Sequence, residues 1–293
     1  MKKIRLKAMA KINLGLDVVR KREDGYHEVR MIMQTIRMYD QIELEPTEEP
    51  GIRVSTNLNY LPTNEDNLVY KAAKLLMDEF DVKKGLNIGL RKFIPVAAGM
   101  AGGSSDAAAV MVGVNRLFHL NLSQKELMER GVKIGADVPY CIVRGTALAE
   151  GIGEKLTHLP PAPAGYVLIA KPGIHVSTKF VYTNLKANEL ESHPDIDGQI
   201  QAIRSGDLKK VAELCGNVLE TVTIPAYPVI EEIKDVMKKG GALNACMSGS
   251  GPTVFGLFDD REKAKAVYET LYGGELAKQV YLTTFFNNRK SGR

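Results

Sequence analysis

The sequence predicts an α+β fold in two domains, and three observations predict it. Strand-like alternation and helix-like periodicity both occur in the chain, with strands set among the helical patterns of its C-terminal half. Its 293 residues correspond to about two domains of roughly 150 residues each. The densest proline cluster, Leu159-Pro160-Pro161-Ala162-Pro163-Ala164-Gly165, stands near the middle and reads as a linker, which sets the expected domains at 1–160 and 161–293.

Taken in order, residues 10–18 alternate, with Ile12, Leu14, Leu16 and Val18 apolar and Lys11, Asn13, Gly15 and Asp17 not. Period two makes this a half-buried strand and puts Lys11 and Asn13 on its polar face. The strand meets Glu23-Asp24-Gly25, whose Asp-Gly pair is a hairpin turn, and a second strand is expected over 31–44. Leu68, Ala72, Leu75, Leu76 and Phe80 recur at helical spacing behind Asn64 or Asp66 as a cap. A strand over 86–93 and an Ala-rich helix beginning near Ser104 follow. Ser123-x-x-Glu126 is a capping box opening a short helix that runs to Ile134, and a further strand is expected from near Pro139. Beyond the proline cluster, residues 166–170 read as a buried strand. Three helical patterns come next: 208–218, 230–237 closed by Gly240-Gly241, and 264–271 behind Asp259-Asp260. No period of solenoid length repeats.

Composition narrows the function classes. The chain is 44% hydrophobic and 25% charged, the range of a globular protein with a real core. Its 39 basic and 35 acidic residues are intermixed; even Arg20-Lys21-Arg22 runs into Glu23-Asp24. With no basic stripe and no Trp, nucleic-acid binding is not expected. No apolar stretch approaches a membrane span, and a leader is not expected, because Arg5, Lys7, Lys11 and Asp17 interrupt any apolar core behind Lys2-Lys3. Cys141, Cys215 and Cys246 are odd in number and widely spaced, which fits buried thiols in a reducing cytoplasm rather than a disulfide framework. His119, His158 and His175 show no metal-ligand spacing, and Met31, Met33 and Met38 read as core fillers.

The strongest chemical feature is Pro95-Val-Ala-Ala-Gly99-Met100-Ala101-Gly102-Gly103-Ser104-Ser105-Asp106, between a strand and a helix. Small residues let backbone approach an anion, and a helix start offers unpaired N–H groups and the positive end of the macrodipole. The two serines add hydroxyls for phosphate or for a metal that it carries. The loop lacks the Gly-Lys-Ser/Thr of a Walker A motif and the dinucleotide-fold spacing. By itself it reads equally as a phosphate cradle or as a tightly packed turn.

This loop resembles the second motif of the GHMP kinases, the superfamily of galactokinase, homoserine kinase and mevalonate kinase. Gly249-Ser250-Gly251-Pro252-Thr253-Val254-Phe255-Gly256 is similar to the C-terminal glycine motif of that family, in the right order. Ala10-Lys11-Ile12-Asn13-Leu14, Asp24-Gly25-Tyr26-His27 and Gly135-Ala136-Asp137-Val138-Pro139 resemble one branch in particular, whose substrate is a cytidine-diphosphate-linked methylerythritol on the non-mevalonate route to isoprenoid precursors. Ala101 departs from the pattern, where a glycine is common, and argues against assuming a left-handed backbone there.

The resemblance implies an N-terminal ribosomal-protein-S5-like domain that binds ATP and holds the catalytic residues, and a C-terminal substrate-binding domain with an antiparallel sheet and helices. It implies transfer of phosphate from ATP with Mg2+ to the substrate 2-hydroxyl, in the cytoplasm. Asp137 is then the general base and Lys11 the cation beside it and the attacking oxygen. ATP falls to Pro95, Val96, Ala97, Ala98, Gly99, Met100, Ala101, Gly102, Gly103, Ser104 and Ser105, with Asn67 and Leu68 at the adenine. Tyr26 and His27 take the cytidine end, with Tyr182, in a strand-like stretch, on its other face, while Asn13 meets the erythritol hydroxyls. No protein cluster dedicated to a metal is expected, and the oligomeric state is left open. The rival readings are another small-molecule kinase of the homoserine or mevalonate type, which the Tyr26-His27 pair argues against, and a non-catalytic nucleotide sensor.

Overall fold

The structure is a computed structural model and describes residues 3–287. Two long strands, β1 (Ile4–Lys21) and β2 (His27–Thr47), contribute to both of its compact units. They are joined by the expected Asp-Gly turn, where Arg22 N donates to Tyr26 O and Gly25 takes a positive φ.

The first unit comprises the chain up to Ala10, Met38–Val96 and Ala101–Val143. Besides its share of β1 and β2 it holds β3 (Ile52–Thr56), α1 (Leu68–Glu79), β4 (Gly85–Arg91), α2 (Gly102–Leu117), α3 (Gln124–Gly131) and α4 (Val138–Val143). β4 lies antiparallel to β2, from Gln41 opposite Arg91 to Thr47 opposite Gly85, and parallel to β3. α1 packs on α2, and α2 on α4, over a core that includes Ile42, Leu44, Leu76, Leu86, Ile88 and Val110. The Ser123 hydroxyl and Glu126 close the capping box of α3 as their spacing requires.

The second unit comprises Lys11–Arg37, Ala97–Met100 and the chain from Arg144 onward. It adds β5 (Thr146–Gly151), β6 (Lys155–His158), β7 (Tyr166–Lys171), α5 (Thr178–Asn184), α6 (Ile196–Ser205), α7 (Leu208–Glu213), β8 (Gly216–Asn217) and α8 (Glu220–Ala226). These are followed by α9 (Val229–Lys239), β9 (Asn244–Met247), β10 (Val254–Phe258), α10 (Arg261–Tyr272) and β11 (Gln279–Thr284). β5 pairs antiparallel with β2, and β8 parallel with β1 at Gly15 and Leu16. A separate antiparallel sheet has the order β11-β7-β10-β9, with α9 and α10 packed against it. In α9, Glu231 and Glu232 lie in the first turn and Lys238 and Lys239 in the last, matching the helix dipole.

Several expectations are corrected. β1 is not half-buried: residues 10–16 are buried on both faces, because Lys11 and Asn13 hydrogen-bond within the protein instead of facing water. The cap of α1 is Asn67, whose side chain accepts from Val69 N, not Asn64 or Asp66. The apolar run from Pro139 is the helix α4, not a strand. All six of its residues are buried, so no polar face marks its period, and proline fits a first helical turn. Tyr182 stands on α5, whose N-cap is Ser177, and not in a strand.

The 208–218 pattern breaks after Glu213, where Gly216 and Asn217 turn to pair with β1. α6 and α8 escape the periodicity argument altogether. The proline stretch lies inside the second unit between β6 and β7. Ala162 there is buried, its N–H bound to Thr146 Oγ1 at 3.1 Å and its carbonyl to Asn287 Nδ2 at 2.9 Å.

Candidate active site

The glycine-rich loop spans the ten residues between β4 and α2, and its backbone is left-handed at three alternate positions: φ is 51° at Ala97, 69° at Gly99 and 55° at Ala101. Turns of this kind gather backbone N–H groups into an anion-binding concavity. The caution over Ala101 is therefore corrected. The alanine adopts the glycine-like conformation and serves as N-cap of α2 with no side-chain hydrogen bond of its own to the first N–H groups of that helix. α2 itself starts at Gly102, two residues before the expected position.

At Gly99 the requirement for glycine is steric as well as conformational. A Cβ there would lie 2.1 Å from the Ser248 carbonyl oxygen. The Gly99 carbonyl accepts from Ser248 Oγ at 3.0 Å and from Lys11 Nζ at 3.3 Å, and the next carbonyl, of Met100, accepts from Lys11 N at 3.1 Å. Lys11, only 4% exposed, also donates to Asn13 Oδ1 at 2.8 Å, while Asn13 Nδ2 reaches Met31 Sδ at 3.2 Å. Lys11 is thus locked to the loop by backbone and side chain together. Asn13, fully buried, orients the ammonium.

The C-terminal glycine motif serves the same loop. A Cβ on Gly249 would come within 3.1 Å of Gly99 O, and Asn217 Nδ2 donates to the carbonyls of Met247 and Gly249 at 2.8 Å each. Ser250 Oγ pairs with Thr178 Oγ1 at 2.8 Å. Ser248 and Asn217 are supporting residues that the sequence reading did not name. Ser248 was within reach, since it directly precedes the glycine motif, but Asn217 sits in a two-residue strand with no pattern to mark it.

On the α2 side, Gly103 is exposed and Ser104 half-buried, whereas Ser105 is buried with its hydroxyl donated to Met9 O at 2.7 Å. Ser104 is accordingly the better placed of the two for a ligand. A Cβ on Gly135 would lie 3.8 Å from Ser104 Oγ, so the Gly135-Ala136-Asp137 segment runs beside the start of α2. Asp137 precedes α4 and its carbonyl accepts from Cys141 N. Leu68 borders the loop too, its Cδ1 3.3 Å from a Cβ on Gly103, while Asn67 is occupied as a cap and donates to Pro62 O. Pro95, Ala98 and Met100 are buried props of the loop, and Val96 and Ala97 face outward.

The structure also brings two of the expected substrate residues together. The His27 and Tyr182 rings lie 5.1 Å apart, tilted by 43°, next in sequence to Tyr26, which is 60% exposed. Burial, aided by the Lys21 charge, lowers the His27 pKa below its ordinary 6.5, so the ring is neutral at pH 7 with one donor and one acceptor nitrogen. His193, which the spacing argument passed over, pairs with Asp17 at 2.7 Å.

Among the described residues no group of three or more His, Cys, Asp or Glu side chains could hold a metal, and no helix is long and apolar enough to cross a membrane. A loop of small residues with the Ser104 hydroxyl at a helix start suits an anion that brings its own cation.

Residues 67–145 match the GHMP kinases N terminal domain and residues 199–274 match the GHMP kinases C terminal family. A 4-diphosphocytidyl-2-C-methyl-D-erythritol kinase of Lachnoclostridium phytofermentans is 58% identical over 98% of each chain. The solved structure of a 4-(cytidine 5'-diphospho)-2C-methyl-D-erythritol kinase aligns with a TM-score of 0.84 at 29% identity, over 97% of this chain and all of that one. A homoserine kinase from Cytophaga hutchinsonii shares the fold, with a TM-score of 0.79 at 21% identity over 97% of this chain and 96% of its own. With both family regions present and more than half of the residues identical over nearly the whole length, the chain belongs to the 4-diphosphocytidyl-2-C-methyl-D-erythritol kinase family of GHMP kinases.

Proposed function

We propose that this kinase transfers the γ-phosphoryl group of ATP to the 2-hydroxyl of 4-diphosphocytidyl-2-C-methyl-D-erythritol, within the cytoplasmic non-mevalonate route to isoprenoid precursors. The observation that carries the substrate assignment is the His27–Tyr182 ring contact, which joins residues remote in sequence, with the exposed Tyr26 next to His27 in the chain. A planar base stacks on such rings, and a neutral imidazole can both donate to and accept from its edge.

Residues 95–105 hold the phosphates through backbone N–H groups and the Ser104 hydroxyl, and Asn67 and Leu68 border the adenine. Lys11 supplies positive charge at the attacking oxygen, held in place by Asn13 and the Gly99 carbonyl. Asp137 takes the hydroxyl proton as the phosphoryl group moves. Such catalysis rests mainly on positioning and charge neutralisation. The Ser104 hydroxyl is the protein group that would help hold Mg2+, which would supply charge neutralisation for the triphosphate. On this reading residues 1–160 bind ATP and hold the catalytic pair, and 161–293 add the substrate-side Tyr182. The three cysteines remain thiols, as suits a reducing compartment.

The test is a coupled assay of ADP release with the cytidylated erythritol, homoserine and mevalonate in parallel. Release with the first compound alone is the expected result. Equal turnover of homoserine or mevalonate would overturn the substrate assignment, and substrate-independent or absent ADP release would leave a nucleotide sensor.

A further inference from the structure

Asp40, Lys92 and Asp106 are buried together where the loop begins and ends, and no role above employs them. Asp40, on β2 and fully buried, receives three donors. Its Oδ1 accepts the backbone N–H groups of Phe93 at 2.5 Å and Ile94 at 2.8 Å, and its Oδ2 takes the Lys92 ammonium. Lys92 directs a second bond to Asp106 Oδ2 at 2.7 Å, in the second turn of α2. A Cβ on Gly102, the first residue of α2, would lie 3.1 Å from the same ammonium nitrogen. Residues 92–94 lead into the loop and 102–106 lead out of it, so one ammonium ties the two ends together.

Desolvating three ionisable groups is costly, and apolar side chains of similar volume would fill the space at least as well. Burial works against the Lys92 charge, but Asp106 and Asp40 outweigh it and hold its pKa above the ordinary lysine value. What the cluster provides that an apolar core would not is directional bonding to backbone at the strand end and to a fixed point on the helix. We propose that Asp40, Lys92 and Asp106 are positioning residues that clamp the two ends of the loop at a set separation and so hold its N–H groups in register for the triphosphate. The inference rests on the reading of residues 95–105 as the ATP site. Asp40 is the principal member, because it receives three donors while Asp106 receives one and leaves Oδ1 with no partner.

The experiment titrates the full-length protein and its D40N, K92M, K92R and D106N variants with a non-hydrolysable ATP analogue and, separately, with the cytidylated substrate. Thermal melting checks that each variant is folded. The wild type is expected to bind the analogue; if it does not, the ATP reading fails and the clamp with it. D40N and K92M are expected to weaken the analogue by about 10- to 100-fold, the scale of a misplaced binding group, with the cytidylated substrate changed by less than about threefold. K92R, which keeps the charge, should recover part of the loss, and D106N should lose less than D40N. A merely structural role would lower the affinity for both ligands alike. Equal losses for both, or unchanged analogue binding in folded K92M when the wild type binds it, would overturn the clamp. If D40N does not fold, K92M against K92R decides.

Discussion

Replacing Gly99 with alanine tests whether close approach shapes the phosphate loop. The added Cβ would sit 2.1 Å from the Ser248 carbonyl oxygen, a backbone atom that cannot swing aside, and φ is 69° at this residue. An alanine in the left-handed region costs about 1–2 kcal/mol. Relieving the overlap needs a shift of about 1 Å, which breaks the bonds that the Gly99 carbonyl accepts from Ser248 Oγ and Lys11 Nζ, each worth about 0.5–1.5 kcal/mol. Stability should therefore fall by about 2–5 kcal/mol. Since the same shift removes one of the bonds that hold the Lys11 ammonium in place, kcat should fall by about 100-fold. Equilibrium urea unfolding reads the first quantity and coupled ADP release the second. Gly103→Ala is the control: its Cβ meets only the flexible end of Leu68 at 3.3 Å, and it should cost below about 1 kcal/mol. A G99A protein that unfolds within about 1 kcal/mol of the wild type and turns over normally would refute the argument.

Three further outcomes are expected. Asp137→Asn keeps the size of the side chain but removes the base, so kcat should drop by about 10²- to 10⁴-fold in steady-state assays while titration shows substrate binding little changed. Tyr26→Ala and Tyr182→Ala should each cost about 1–3 kcal/mol of binding to the cytidylated substrate by calorimetry, Tyr26→Phe much less, and none should affect the ATP analogue. The folded pKa of His27 lies below 6.5, so its contribution to stability is full above 6.5 and is lost as pH falls toward the lowered value, where the folded ring finally takes up its proton. Denaturation midpoints measured across that window should fall slightly more in the wild type than in His27→Gln, and identical profiles would show that the ring titrates normally.

Much of the fold was legible because it is written in local chemistry. The Asp-Gly turn, the Ser123–Glu126 box, the Asp260 cap and the Gly240-Gly241 stop each act within a few residues, and each appears where the spacing puts it. α4 was not legible, because a helix buried on every side shows no periodicity. β8 was not, because a two-residue strand exists only by virtue of Gly15 and Leu16 beside it. Burial of the polar face of β1 depended likewise on partners far along the chain.

The sequence by itself determined the chemistry available: a run of small residues before a helix, a carboxylate before a proline, a lysine on a strand, and aromatic residues behind a hairpin turn. Tertiary structure decided which of them meet and in what state. It set Lys11 on Gly99 and Asn13, made Ala101 adopt a backbone that its side chain disfavours, occupied the Ser105 hydroxyl with Met9 O, and brought Tyr182 to His27. The physical reason is one of range. Caps, turns and backbone preferences are short-range terms that a stretch of sequence fully contains, whereas burial, hydrogen-bond partners and ring contacts are fixed by residues tens to hundreds of positions away.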